Sequence, residues 1–373
     1  MRLVGIALNL ASPRGPIARG VSHGRTGLRI ATIKDVAAKA GVSVKTVSRV
    51  INREASVQPS TRQRVEAAIE ALRYRPDVSA RSLRGMHSYA MGVVYDNPNP
   101  YYVIAIQNGL LAVCREFGYA LQIHPCDSSS PTLAEELLQI VRQNRLAGLV
   151  LAPPMSEREP LIRFLAESKV PFVRLISGSS DPQDGYLSVY VDDRSAAREI
   201  TTHLIQLGHQ RIGFIWGGQQ HRSSPERYQG YEEALHDYGV ALDPELVVQG
   251  DYSFDEGFRA ARRLLALPSP PTAIFGSNDE IAAGVLAAAR SIGVNVPFDL
   301  SIAGFEDSPF SKQSWPALTT ARQDTQDIAR TAGRMLIEEV DREESSPPPR
   351  NCGFVPRLVA RGSTTPVRPG RES

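Results

Sequence analysis

Cysteine is scarce in this sequence. Three thiols in 373 residues, Cys114, Cys126 and Cys352, are scattered and lack any CxxC spacing. That excludes a disulfide framework and a cysteine zinc site, and fits a reducing, cytoplasmic compartment. Long apolar runs are also missing, since nothing approaches the roughly 18 uninterrupted apolar residues of a membrane span. The opening "MRLVGIALNLAS" is broken by Gly5 and Asn9 and leads to no cleavage site, so residues 1–29 read as a disordered extension. Catalytic signatures are absent too: there is no GxSxG, Walker loop, HExxH or dinucleotide fingerprint. His203 and His209 lie in or just after a helical run, where a structural role is the ordinary one. The chain is therefore expected to be no enzyme, with no catalytic residues, metal or cofactor.

The small net charge of +2 hides an asymmetry. Residues 30–87 carry eleven Lys/Arg against five Asp/Glu, whereas residues from Ser88 onward carry 26 bases against 35 acids. A basic head on an acidic body implies that the head meets a polyanion. In that head Thr32 is placed to cap a helix with Asp35 completing a capping box, and "IKDVAAKA" puts Ile33, Val36, Ala37 and Ala40 on one face. Gly41 ends it, Ser43 caps "VKTVSRVIN", and Ser60 with Gln63 is expected to start a third helix.

Two helices joined by so short a Gly-containing turn make a helix-turn-helix, whose second helix enters the major groove of DNA. Val47 and Val50 face the core, leaving Val44, Lys45 and Arg49 for base edges. Arg49 suits guanine O6 and N7, while Thr32, Ser43, Thr46 and Asn52 suit phosphates. Beyond Pro76, "DVSARSLRG" is too short to be a stable helix alone. On DNA it is expected to order, with Arg81 and Arg84 near phosphates and Leu83 wedged into the minor groove.

"TIKDVAAKAGVSVKTVSRVIN" resembles the N-terminal signature of LacI/GalR-type bacterial transcriptional regulators, and the likeness runs from about residue 31 to the "RGST" near the C-terminus. The resemblance implies a leucine in the hinge helix at the place of Leu83, a periplasmic-binding-protein-like body, and dimer contacts from the helix after "NPYY" and its counterpart in the second lobe.

From Tyr89 apolar strands alternate with amphipathic helices, which implies mostly parallel sheets covered on both faces. The array is too long for one sheet and restarts near "LGHQRIGFIWGG", so two lobes with a cleft between them are expected. The fold class is thus a small all-α helix-turn-helix domain (30–75) with a hinge helix and linker (76–87), then a two-lobed, doubly wound α/β domain (88–365). The lobes are placed at about 88–208 plus 324–345 and 209–322 plus 352–362, with 366–373 as a disordered tail.

Ligands of open α/β sheets sit beyond the carboxyl ends of the strands. The residues there are Asn99, Tyr101, Ser223, Arg227, Tyr252, Asn278, Glu306 and Gln323, a set of aromatic and paired polar groups suited to a sugar or sugar derivative. The resemblance points the same way for Arg227, Asn278 and the carboxylate after "GF". The motif here reads "GFED" where the family's usual form has aspartate first, making Glu306 one methylene longer. The family's frequent "IDR" is replaced by "LISG", and Asp192 and Asp193 match a position that organises the cleft rim and lobe hinge.

The expected function is a ligand-responsive regulator, in all expectation a repressor, whose homodimer binds a palindromic double-stranded operator. The C-terminal tail lacks the leucine heptads of a further tetramerising coil. A solute-binding protein for transport and an enzyme on the same small molecule are the alternatives, and sequence-preferring DNA binding separates them.

Overall fold

Helix α1 (Ile33–Ala40) opens as its spacing predicts. The Thr32 hydroxyl accepts from the Asp35 N–H while the Asp35 carboxylate accepts from the Thr32 N–H at 2.8 Å. Gly41 closes it at φ +65°, the left-handed conformation that glycine adopts at least cost. Ser43 then accepts from the Thr46 N–H at 3.1 Å and starts α2 (Val44–Ile51). Helix α3 (Pro59–Ala71) departs from expectation, because Gln58 precedes it without a side-chain cap and Ser60 lies inside it. Pro59 takes the first helical position, where its missing N–H costs nothing. The three helices close on Val36, Ala37, Ala40, Val47, Val50, Val65 and Ala68.

This computed structural model describes residues 31–51, 57–72, 74, 88–97, 99–343 and 350–367. The chain divides into two units, Met1–Pro76 and Asp77–Ser373. In the second, β1 (Ala90–Tyr95), α4 (Pro100–Phe117), β2 (Ala120–Pro125), α5 (Leu133–Asn144), β3 (Gly148–Leu151), α6 (Glu159–Glu167), β4 (Phe172–Ser177) and β5 (Ser188–Val191) build the first lobe. The second lobe follows with α7 (Asp193–Gln206), β6 (Ile212–Ile215), α8 (Ser223–Asp237), β7 (Val247–Val248), α9 (Phe254–Leu265), β8 (Ala273–Gly276), α10 (Asp279–Ser291), β9 (Ser301–Ala303) and α11 (Pro309–Gln313). The chain ends with β10 (Thr320–Arg322), α12 (Thr325–Val340), β11 (Cys352–Phe354) and β12 (Arg357–Val359).

Both main sheets are parallel throughout, in the orders β11-β5-β4-β3-β1-β2 and β7-β6-β8-β9. Their central strands are buried on both faces, which is why they read as continuous apolar runs.

The lobe boundaries differ from expectation in two places. Helix α7, expected in the first lobe, buries Ala196, Ala197, Ile200 and Leu204 against Phe214 and Tyr231 of the second. The crossover therefore lies between β5 and α7, not after residue 208. Strand β11, expected in the second lobe, pairs in register with β5 of the first, and only β12 crosses to pair with β10. Edge-strand pairing is decided by which backbone is left open, and the sequence pattern does not carry that. Helix α12 returns to the first lobe as expected, sharing its core with α4.

His209 has the structural role expected. Its Nδ1 lies 2.9 Å from the Thr272 hydroxyl and its Nε2 3.0 Å from the Ser301 hydroxyl, and burial holds it neutral with a pKa of about 4. Helices α7 and α8 approach most closely at Gly230, where an added Cβ would meet the Arg194 carbonyl. Gly230→Ala should overpack this contact at a cost of about 1–3 kcal/mol. Thermal unfolding should then show a clearly lower Tm, and an unchanged Tm would contradict the packing described.

Candidate functional site

In the head, Lys45 and Arg49 are exposed on α2, Ser43 is exposed at its start, Thr32 is exposed at the start of α1, and Thr46 is half-buried. Val44 differs from expectation. It is half-buried against the head's core, because it lies one turn before Val47 on the same helix face. Asn52, Arg81, Leu83 and Arg84 lie outside the described residues.

In the body, the carboxyl ends of the strands converge on a cavity of about 50 Å³. Seven of the eight expected residues line it: Asn99, Ser223, Arg227, Tyr252, Asn278, Glu306 and Gln323. Tyr101 does not. It is 36% exposed and packs edge-on against Phe310 at 5.4 Å between ring centroids, in a separate outer groove. Tyr102 faces the cavity instead. Asn99 caps α4 by accepting from the N–H groups of Tyr101 and Tyr102 at 3.0 and 3.2 Å. From that fixed start, the turn of about 100° per residue separates the two rings.

Arg227, in the first turns of α8, is 3% exposed. Its Nε donates to Asp193 at 2.8 Å and its Nη1 to the Ser277 carbonyl at 2.5 Å. Glu306 stands 3.8 Å from Nη1, and the guanidinium lies 3.8 Å over the Phe305 ring. Asp193 also accepts from the Ser177 hydroxyl at 2.6 Å. Glu306 accepts from Asn99 Nδ2 at 2.9 Å, joining the lobes. A second bridge is Glu157, which accepts from the N–H groups of Ser177 at 3.1 Å and Arg222 at 2.9 Å.

Tyr252 holds a φ of +72°, with its hydroxyl 2.8 Å from that of Ser223. Its ring lies where a Cβ on residue 217 would stand, so only glycine fits there. Asn278 caps α10 through Ile281 N at 2.9 Å and donates to the Tyr252 carbonyl at 3.1 Å. Tyr102 and His221 line the cavity and Glu157 bridges residues at its edge, three residues that the sequence reasoning misses. All follow strand ends, the one signal that could have marked them.

Among known protein families, "Bacterial regulatory proteins, lacI family" matches residues 32–77 and "Periplasmic binding protein-like domain" matches residues 201–364. The HTH-type transcriptional repressor CytR of Escherichia coli (strain K12) is 31% identical over 336 residues, covering 90% of this chain and 96% of its own. The chain belongs to the lacI family of bacterial regulatory proteins. Catabolite control protein A of Priestia megaterium is 32% identical over 84% of this chain and 93% of its own. The lac repressor dimer bound to operator and the anti-inducer ONPF superposes with a TM-score of 0.69 at 27% identity, covering 90% of this chain and all of that one. A complex of the transcriptional regulator CelR with cellobiose gives 0.67 at 30% identity, over 89% and 99%. Like these relatives, this lacI-family chain is a DNA-binding transcriptional regulator. No helix among its described residues is long and apolar enough to cross a membrane.

The cleft of this lacI-family protein holds more acid than base. Burial pushes Glu306 up to about 8 against the pull of Arg227, and pushes Glu157 and Asp279 up to about 7. Burial, with Arg227 nearby, holds His221 down at about 4. Burial opposes the charge of Arg227 itself, but Asp193, Tyr252 and Glu306 outweigh it and hold the guanidinium firmly ionised.

The sign of the pH dependence follows. A carboxyl raised in the folded state binds more protons there than in the unfolded chain, where its pKa is about 4, so stability falls as pH rises through that window. His209 and His221 act oppositely, but only below about 6.5, their unfolded value. Between about pH 6.5 and 8 only the carboxyl effect remains, so Tm should decline across that range. Glu306→Gln should flatten the upper part of the decline, and a Tm indifferent to pH in both proteins would contradict this.

Proposed function

We propose that the protein is a cytoplasmic repressor whose homodimer binds an inverted-repeat operator, and whose DNA affinity is set by a sugar-like effector in the inter-lobe cleft. The convergence of seven strand-end residues on one space around Arg227 carries the effector reading. The arrangement suits recognition. Arg227 is committed to Asp193 and the Ser277 carbonyl, while Asn99, Ser223, Tyr252, Asn278, Glu306 and Gln323 present hydrogen-bonding groups for hydroxyls. Similar structures that hold cellobiose and ONPF support the ligand class.

On DNA, Arg49 and Lys45 read base edges with Val44 at their margin. Thr32, Ser43, Thr46 and Asn52 hold phosphates and fix the register. The segment bearing Arg81, Leu83 and Arg84 enters the minor groove and kinks it. Dimer contacts come from α4 and its counterpart in the second lobe, and two-fold symmetry sets the half-site spacing. An effector shifts operator affinity only through different affinities for the two lobe arrangements.

Selection of bound sequences from random duplexes should yield an inverted repeat, with affinity that falls steeply as salt rises. Arg49→Ala should cost about 1–3 kcal/mol and relax the preference at one base position of each half-site. If selection returns no preferred sequence, with or without sugars, the proposal fails. Arg227→Ala should abolish the effector response. Because it strands Asp193 in the interior, it should also lower stability by about 3–5 kcal/mol in thermal or urea unfolding.

A further inference from the structure

We infer that Arg361 is a positioning residue for the cleft: acting through Asp307, it holds the turn that directs the Glu306 side chain to Asn99 and Arg227. This rests on the effector reading above for what Glu306 would bind, and it can be tested with no effector present.

Arg361 begins the "RGST" segment, which follows β12 and is sewn into the second lobe. The Ser363 hydroxyl accepts from the Thr319 N–H at 2.8 Å, and the Ser363 carbonyl accepts from the Ile302 N–H of β9 at 2.8 Å. The Arg361 N–H donates to the Thr319 hydroxyl at 3.0 Å. On that fixed backbone the guanidinium divides its donors. Nη1 donates to the Leu318 carbonyl at 2.9 Å, and Nη2 donates to Oδ1 of Asp307.

The Asp307 side chain is 4% exposed. It also accepts from the Ser311 hydroxyl at 2.9 Å and from Arg322 Nε at 3.1 Å, and Lys312 Nζ lies 3.2 Å away. Burial pushes its pKa up, but hydrogen bonds from Arg361, Ser311 and Arg322 outweigh that and hold the carboxyl below its ordinary range. The three cations are not equivalent. The side chains of Arg322 and Lys312 are 51% and 59% exposed, and pairs so open to water contribute little. That of Arg361 is 15% exposed, and its planar fork reaches two acceptors at once. Arg361 is therefore the cation on which the placement of Asp307 depends.

What Asp307 secures is a strained turn. Glu306 and Asp307 have φ of +100° and +55°, conformations that persist where surrounding structure enforces them. On one side the Glu306 N–H donates to the Ala321 carbonyl at 2.9 Å. On the other, Asp279 accepts from the Ser308 N–H at 2.7 Å. Arg361 adds the third point by gripping the side chain between them. So held, Glu306 projects into the cleft, where it accepts from Asn99 Nδ2 of the first lobe at 2.9 Å and lies 3.8 Å from Arg227. Without Arg361 the turn can relax toward negative φ, and that swings the Glu306 side chain away from Asn99.

The test uses the full-length protein without effector. Glu306 faces Arg227 on α8, Asp193 on α7, Asp279 and Glu280 on α10, Tyr102 on α4, and Tyr252. Withdrawn from these groups into water, its carboxyl returns toward about 4 and no longer titrates between about pH 6.5 and 8. Tm is measured over that range for the unaltered protein, Glu306→Gln, Arg361→Ala and the double variant. Arg361→Ala should lose the upper part of the Tm decline, as Glu306→Gln does, and the double variant should lose no more than either alone. If Arg361→Ala instead lowers Tm equally at every pH and leaves the full effect of Glu306→Gln in place, the inference is overturned.

A second readout is independent of titration. Hydrogen exchange at the start of α4, where Asn99 accepts from the Tyr101 and Tyr102 N–H groups, should quicken in Arg361→Ala although Arg361 belongs to the other lobe. Exchange that quickens only around residues 307–322 and 357–363 would contradict a positioning role. Should Arg361→Ala not fold, Asp307→Asn cuts the same link from its other end and should give both signatures; neither signature in that variant overturns the inference equally. Both readouts are made without ligand, so their failure leaves the effector reading standing, and a protein whose Tm no sugar shifts loses that reading alone.

Discussion

A buried guanidinium governs the cleft. Removing Arg227 from water is tolerable only because each of its faces is met: Asp193 and the Ser277 carbonyl in its plane, Phe305 beneath it, Glu306 beside it. Each partner fixes something further. Asp193 begins α7 where the chain first enters the second lobe, and also holds the Ser177 hydroxyl at the end of β4 in the first. Ser277 precedes the cap of α10, and Glu306 reaches Asn99, the cap of α4. The charge that would suit a ligand is thus the same charge that ties the lobe crossover to three helix starts. A change in how Arg227 is satisfied cannot stay local.

Acid outnumbers base around this centre, and protons make up part of the difference. Glu306, Glu157 and Asp279 are all pushed upward by burial, so the folded chain holds their protons to higher pH than the unfolded one. The two bridges between lobes, Glu306 to Asn99 and Glu157 to Arg222, each depend on one of these groups. Together with the positive φ angles at Glu306 and Asp307, this describes two lobes joined through groups whose burial is costly and whose hydrogen bonds offset that cost.

What the sequence reveals here follows the range of the interaction involved. The capping box of Thr32 and Asp35 and the left-handed Gly41 are settled within a few residues and were legible directly. The strand-end rule reached further. Knowing only that parallel strands end at a cleft was enough to gather Asn99, Arg227, Tyr252, Asn278 and Glu306 from over two hundred residues of chain.

It failed where one turn or one pairing decides. Tyr101 and Tyr102 are adjacent, and only the actual start of α4 tells which ring turns inward. Val44 reads as an outward residue in the sequence, yet it shares a face with Val47 and packs against the head's core. The crossing at α7 and the pairing of β11 depend on partners far away in sequence, and β11 joins the first lobe because β5 leaves an edge open. The match of residues 32–77 and the relatives spanning nine-tenths of the chain settle the family, while ligand and operator belong to what the cleft and head of this particular chain select.

In the proposed regulator, a molecule held in the cleft changes the affinity of the head for DNA. The most direct measurement is operator affinity of the full-length protein, by fluorescence anisotropy, with and without a compound that raises its Tm. The account predicts a change of about fivefold or more in operator affinity. Linkage then requires the same factor in the compound's affinity when operator is added. A compound that stabilises the protein through the cleft yet leaves operator affinity unchanged would contradict it.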